Sequence, residues 1–171
     1  MQASVKEVGV RRWIYQPGLP DGAAEVSSSL YDDVLSVEAA YRQGVRPTEQ
    51  RVAGWTTTQQ GVFLARLLPR VPSSDCGYLD DLFRLEQTRD GALLGRFFEL
   101  AVRSGYYRAL PRFEAFFSRV GRYNFHEPVF RALVEEPWSR HEARPILERW
   151  RHRHHAHTVA AIERILTEAG L

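Results

Sequence analysis

The sequence predicts an all-α protein built from antiparallel helix pairs, and three observations carry that expectation. From about Ser29 onward, apolar residues recur at intervals of three and four, the period that lays a stripe along one helical face. Short Gly and Pro breaks, at Gly44 with Pro47, at Pro69 with Pro72 and at Gly105, cut these stripes into segments too short to persist unless neighbours cover them. No two runs alternate with the period of a half-buried strand, so no strand pair is expected. Periodicity alone leaves a compact bundle and a two-layer superhelix equally open.

Residues 1–25 read as an extended linker and residues 26–171 as the helical body. Pro17 and Pro20 bracket Gly18, which bars a continuous helix or central strand, while Trp13 and Tyr15 act as apolar hooks. In the first helix Leu30, Val34, Val37 and Tyr41 share a face, and Gly44 with Pro47 ends it. A second helix follows Thr57 or Thr58 as N-cap, buries Phe63, Leu64, Leu67 and Leu68, and closes at Pro69. A third, after Ser74, turns Leu79, Leu82 and Phe83 inward. The fourth runs from about Asp90 to Arg103, burying Leu93, Phe97, Leu100 and Ala101, and stops before Gly105. The fifth, about Tyr106 to Val120, carries Leu110, Phe113, Phe117 and Val120 and tolerates Pro111 near its start. Gly121 is placed as its C-cap glycine, and Pro128 in the first turn of a sixth helix that buries Phe130, Leu133 and Val134. Ser139 with Glu142 forms the capping-box pattern of a seventh, with Ile146, Leu147 and Trp150 inward. A last helix from about Thr158 buries Val159, Ile162 and Leu166 and ends at Gly170.

A chain of 171 residues suits one domain or two small ones and needs no disulfide to fold. Cys76 is its single cysteine, which excludes an internal disulfide framework and makes a reducing, cytoplasmic setting the simplest expectation. Lys6, Glu7, Arg11 and Arg12 interrupt the N-terminus, so an ordinary signal peptide is not expected, and no apolar run suits a membrane span. A net charge of +2, from 23 Lys and Arg against 21 Asp and Glu, gives no electrostatic case for nucleic acid.

The stretch from Gly121 to Phe130 is the candidate working surface. Arg122 sits in a short connection pinned between two helices, and a guanidinium held in one direction is the side chain best suited to fork onto a carboxylate. The competing structural role is to neutralise the carbonyl end of the preceding helix. The pattern Gly121-Arg122-x-x-Phe125-x-x-Pro128-Val129-Phe130 resembles the C-terminal helical domain of leukotriene A4 hydrolase and related M1-type zinc aminopeptidases. Trp13-Ile14-Tyr15-Gln16-Pro17-Gly18-Leu19-Pro20 is similar to the signature leading from that family's catalytic domain into its C-terminal domain, and Ala109-Leu110-Pro111 resembles the family's alanine-isoleucine-proline. The likeness extends from about Trp13 to the C-terminus.

This resemblance implies a two-layer right-handed α-α superhelix of armadillo/HEAT type, preceded by a catalytic domain of the same polypeptide. It also implies that Arg122 holds the free carboxylate of a short peptide or fatty-acid substrate, with Asn124 where the family often has an assisting lysine, and with Tyr123 flanking. Zinc is implied for the parent catalytic domain only. The zinc motif His-Glu-x-x-His is missing, because Phe130 stands where His126-Glu127 would need the second histidine and Pro145 where His141-Glu142 would need it. No catalytic or metal-binding residue is therefore assigned to this chain, and no peptidase activity is expected from it alone. His152 with His155, and His154 with His157, have ligand-like spacing, but Arg151 and Arg153 repel a cation, so a solvated cationic helix end is the expected role. The alternative to a domain of an aminopeptidase is a free-standing helical scaffold that binds a protein or peptide without chemistry.

Overall fold

The computed structural model describes residues 10–19 and 27–171, and every regular element among them is helical. In order these are α1 (Val10–Tyr15), α2 (Ser29–Arg42), α3 (Thr57–Arg66), α4 (Ser73–Leu82), α5 (Gly91–Arg103), α6 (Ala109–Phe117), α7 (Tyr123–Glu135), α8 (Ala143–Trp150) and α9 (Ala156–Glu168). Single 3₁₀ turns at Arg140–Glu142 and Arg151–Arg153 precede α8 and α9. Alternate helices touch: α3 packs on α5, α5 on α7, and α7 on α9, while α4 and α6 contact α5, and α8 contacts α7 and α9. That alternation is what a layered stack of helix pairs produces.

The helix ends follow local chemistry. Thr56 caps α3 in a reciprocal box: its hydroxyl accepts from the Gln59 N–H at 3.2 Å, and the Gln59 side chain accepts from the Thr56 N–H at 3.2 Å. The cap lies ahead of the expected Thr57 or Thr58: it is Thr56 that makes the reciprocal bonds with Gln59. Asp90 caps α5 by accepting from Ala92 and Leu93 at 2.9 and 3.0 Å. Gly44, Gly105 and Gly170 close α2, α5 and α9 in the left-handed region, at φ of 88°, 69° and 73°.

Several expectations are corrected. The lead-in is not extended throughout, since Val10–Tyr15 form a short helix; the steric restriction of Pro17 reaches only the residue before it, Gln16. Residues 1–9 and 20–25 of the expected linker, with Pro20, lie outside the described residues. Gly121 is not a left-handed cap. Helix α6 ends earlier, at Phe117, and its exposed Ala115 carbonyl is taken by the Ser118 hydroxyl and the Arg119 Nε, both at 2.9 Å. Helix α7 starts at Tyr123 rather than at Pro128, which occupies its sixth position. A proline so near the start forfeits one bond, to the Asn124 carbonyl, and the helix survives it. Ser139 does not cap α8; its buried hydroxyl donates to the Leu133 and Glu136 carbonyls and closes α7 instead.

The core is aromatic. Phe63, Phe97, Phe98, Phe113, Phe117 and Phe130 are all fully buried. Trp55 and Trp138 are anchored within the body, their indole N–H groups donating to Asp33 at 2.6 Å and to the Val102 carbonyl at 3.0 Å. By contrast Trp13, Ile14, Tyr15, Leu19 and the expected core residue Leu30 are exposed.

Helices α5 and α7 approach each other closely. A Cβ built on Gly95 stands 2.9 Å from the Phe125 carbonyl oxygen and 3.2 Å from its Cα. At Gly91, one turn earlier, a Cβ stands 2.8 Å from the Phe125 ring. These two glycines let the first turn of α7 lie directly on α5. Gly95→Ala is expected to force the helices apart and cost about 1–3 kcal/mol in urea unfolding. Gly121→Ala, with nothing within 4 Å and no positive φ, is expected to stay within about 0.5 kcal/mol. Equal effects would contradict the packing account.

Candidate functional site

The connection from α6 to α7 is five residues long, Ser118 to Arg122, and Arg122 is the N-cap of α7 with extended backbone at φ −82° and ψ 108°. Arginine is a poor choice there. An N-cap side chain must accept hydrogen bonds from the first turn, and a guanidinium has only donors, so Arg122 caps nothing. Its charge also adds to the positive end of the helix dipole instead of opposing it.

The structural role weighed for Arg122 belongs to Arg119, which binds the carbonyl end of α6. Among the described residues the Arg122 guanidinium has no hydrogen-bond or ion-pair partner; it lies 5.2 Å from the centroid of the Phe125 ring. Most arginines of the body are engaged differently. Arg42 and Arg66 hold Glu38, Arg46 holds Asp75, Arg112 holds Asp80, Arg70 holds Glu136, and Arg149 holds Glu114. Arg122 is left exposed with its donors unspent.

Phe125 links Arg122 to a cavity of about 260 Å³ between α5 and α7. Its walls are Ala92, Gly95, Arg96 and Glu99 from α5, and Asn124, Phe125 and Pro128 from α7. Asn124 thus lies in the cavity wall, beside the carbonyl that Pro128 leaves without a helical donor. Tyr123 is not in that wall. Its ring meets His157 of α9 edge-on at 6.0 Å, and burial together with the neighbouring Glu127 carboxylate raises its phenol above the ordinary tyrosine range. The structure therefore brings Arg122, Phe125 and Asn124 to one edge of the α5–α7 seam and turns Tyr123 toward α9. Arg96, on the polar face of α5, was not legible as a site residue from spacing.

Beneath the connection lies a buried imidazole that sequence patterning places only as part of an excluded zinc motif. His126, in the first turn of α7, has no exposed surface. Its Nε2 is 2.5 Å from the Val120 carbonyl, while Nδ1 is buried without a partner. The rings of Phe113, Phe116 and Phe117 surround it edge-on at 6.4, 5.2 and 4.9 Å, and His154 lies 5.7 Å away. A usable signal existed, since His126 falls three and four residues ahead of Val129 and Phe130 on the apolar stripe of α7.

Of the histidine run, His152, His155 and His157 are exposed, and His152 lies between Arg151 and Arg153 at the C-terminal end of α8 as a solvated cationic helix end would, but His154 departs from that expectation. His154 has extended backbone and stacks on Phe117 at 4.0 Å, with both ring nitrogens buried, and His155 is the N-cap of α9, accepting from the His157 N–H at 3.2 Å. The aromatic surface of α6 draws His154 inward, which breaks the ligand-like spacing. Among the described residues no three His, Cys, Asp or Glu side chains converge as metal ligands, and no helix is long and apolar enough to cross a membrane.

A family model described as leukotriene A4 hydrolase, C-terminal, matches residues 55–166, a span that includes the Arg122 connection. Leucine aminopeptidase 2 of Ajellomyces capsulatus is 26% identical over 129 residues, covering 71% of this chain and 20% of its own length. Leucine aminopeptidase 2 of Pyricularia oryzae is 29% identical over 129 residues, covering 72% of this chain and 21% of its own length. The structure of yeast LTA4 hydrolase in complex with bestatin matches with a TM-score of 0.70 at 16% identity, over 96% of this chain and 31% of that one, which speaks for the fold. The chain spans about a fifth of the length of the curated relatives it matches.

Two expectations arise from this geometry. Because Arg122 occupies an N-cap it cannot serve, Arg122→Ser is expected to stabilise the chain by about 1 kcal/mol in urea unfolding; a loss of stability would mean that Arg122 holds the fold. Burial lowers the His126 imidazole from its ordinary 6.5 to about 4. Between those values the unfolded chain takes up a proton that the folded chain refuses, so stability held above pH 6.5 falls by about 3 kcal/mol on descending to pH 4. Urea unfolding compared at about pH 7 and about pH 4.5 should show a smaller acid loss for His126→Gln than for the natural chain. Equal losses would assign the acid sensitivity elsewhere.

Proposed function

This chain belongs to the leukotriene A4 hydrolase C-terminal family, and we propose that it serves as the C-terminal helical domain of an M1-type zinc aminopeptidase, lining the substrate channel and holding the free carboxylate of short peptides through Arg122. The observation that carries this reading is the unspent guanidinium at the head of α7. Arg122 satisfies no acceptor within the described residues and works against its own helix, whereas Arg42, Arg46, Arg66 and Arg112 are committed to buried carboxylates. A carboxylate placed there gains the fork of Arg122 and the positive end of α7 together. Asn124 offers an amide from the adjoining cavity wall in place of a second cation, and Tyr123 flanks from the α9 side.

The zinc, the general base and the groups that recognise the peptide amino terminus lie, on this reading, in a catalytic domain of the same polypeptide. This chain's residues do not fit a zinc site, since its described His, Cys, Asp and Glu side chains do not converge in threes. On this reading the chain acts by closing and polarising one side of the channel. The exposed Trp13, Ile14, Tyr15 and Leu19 support a lead-in that packs on that upstream domain. A cytoplasmic setting accords with the lone, buried Cys76.

Arg122→Ala in the complete polypeptide is expected to lower kcat/KM for free-carboxylate peptides by about 30-fold or more, equivalent to roughly 2 kcal/mol, with a much smaller effect on the matching carboxamides. Equal losses on both substrate types would exclude carboxylate recognition and leave Arg122 without a substrate role.

A further inference from the structure

We propose that His126 is the positioning residue of the Arg122 site: its imidazole grips the Val120 carbonyl from inside the core and so fixes the course of the connection that presents the guanidinium. The proposal rests on the carboxylate reading of Arg122 and adds a residue that works through it.

Up to Val120 the connection is tied to α6, the Ser118, Arg119 and Val120 N–H groups donating to the Glu114 and Phe116 carbonyls at 2.9, 3.1 and 3.0 Å, but among the described residues neither Gly121 nor Arg122 donates a backbone hydrogen bond. Gly121 is exposed, with nothing within 4 Å of a Cβ placed on it, so no side chain packs against the outer side of the chain there. Beyond the last turn of α6 the Val120 carbonyl faces inward and meets the His126 Nε2 at 2.5 Å. A carbonyl can only accept, so the ring carries its proton on Nε2 and donates it, leaving Nδ1 as a buried lone pair. That lone pair has no partner.

Packing does not require an imidazole at this position. The ring sits among Phe113, Phe116 and Phe117, where an apolar side chain would fill the same space without burying an unpartnered nitrogen. What an apolar side chain cannot do is donate to the Val120 carbonyl. His126 also follows Phe125, whose ring carries the Arg122 guanidinium and whose backbone rests on Gly95. The first turn of α7 thus fixes the connection at two points: Phe125 sets where Arg122 lies, and His126 sets how the chain arrives there.

The test uses the complete polypeptide and matched peptides ending in a free carboxylate or a carboxamide, with the ratio of their kcat/KM values as readout. His126→Leu, which keeps bulk and removes the donor, is expected to lower that ratio about tenfold, chiefly through KM for the carboxylate peptide. His126→Gln, which restores a donor at a similar reach, is expected to recover most of it. In an Arg122→Ala background His126→Leu should not change the ratio further, because the group it positions is gone. If His126→Leu does not fold, His126→Met provides the same comparison. An unchanged ratio in the Leu or Met variant, while Arg122→Ala collapses it, would overturn the positioning role and leave His126 a core residue. An unchanged ratio in Arg122→Ala itself would overturn the carboxylate reading and this proposal with it.

Discussion

The contact between Gly95 on α5 and the backbone of Phe125 on α7 is the constraint on which the rest of the site depends. Only a residue without a side chain allows the two helix axes to approach so closely, and that approach sets where α7 begins. Once Phe125 lies on α5, its ring becomes both the wall of the adjoining cavity and the platform under Arg122. His126, next in sequence, is then turned into the phenylalanine cluster of α6. A single close contact therefore orients the cavity wall, the platform under Arg122 and the His126 ring from within the first turn of α7.

Electrostatics separate stability from function in this protein. Its arginines outnumber its other cations, and Arg42, Arg46, Arg66, Arg70 and Arg112 are absorbed by largely buried carboxylates whose charges they neutralise. Glu38 is an example: the Arg66 and Arg42 guanidiniums lower its carboxyl below the ordinary range although burial opposes them. At Arg122 the logic reverses. A serine, asparagine or aspartate would serve the helix better, and an unpaired arginine at a positive helix end is a local conflict of the kind that marks working sites.

The all-helical class and most of the helix ends are legible in the sequence, because they depend on local chemistry. Gly44, Gly105 and Gly170 stop helices where a left-handed residue is needed, and an aspartate announces the start of α5. The start of α7 is not legible in the same way. Its N-cap is an arginine, which carries no capping signal, and Pro128 gives a stronger but misleading one five residues later. The Arg122 connection is visible through its motif, whereas the residues around it are not. Arg96 lies on a polar face with no periodic mark, and the burial of His126 and His154 depends on aromatic rings supplied by another helix. Burial of a polar ring is decided by tertiary neighbours, and spacing alone cannot name them.

On the proposed reading, the guanidinium presented at the head of α7 receives a substrate carboxylate. The most direct measurement is a crystal structure of the complete polypeptide with a non-hydrolysable peptide analogue that ends in a free carboxylate. The account predicts that carboxylate within hydrogen-bonding distance of Arg122, with the Val120 carbonyl still held by His126. A carboxylate bound elsewhere, with Arg122 still resting unpaired on Phe125, would contradict it.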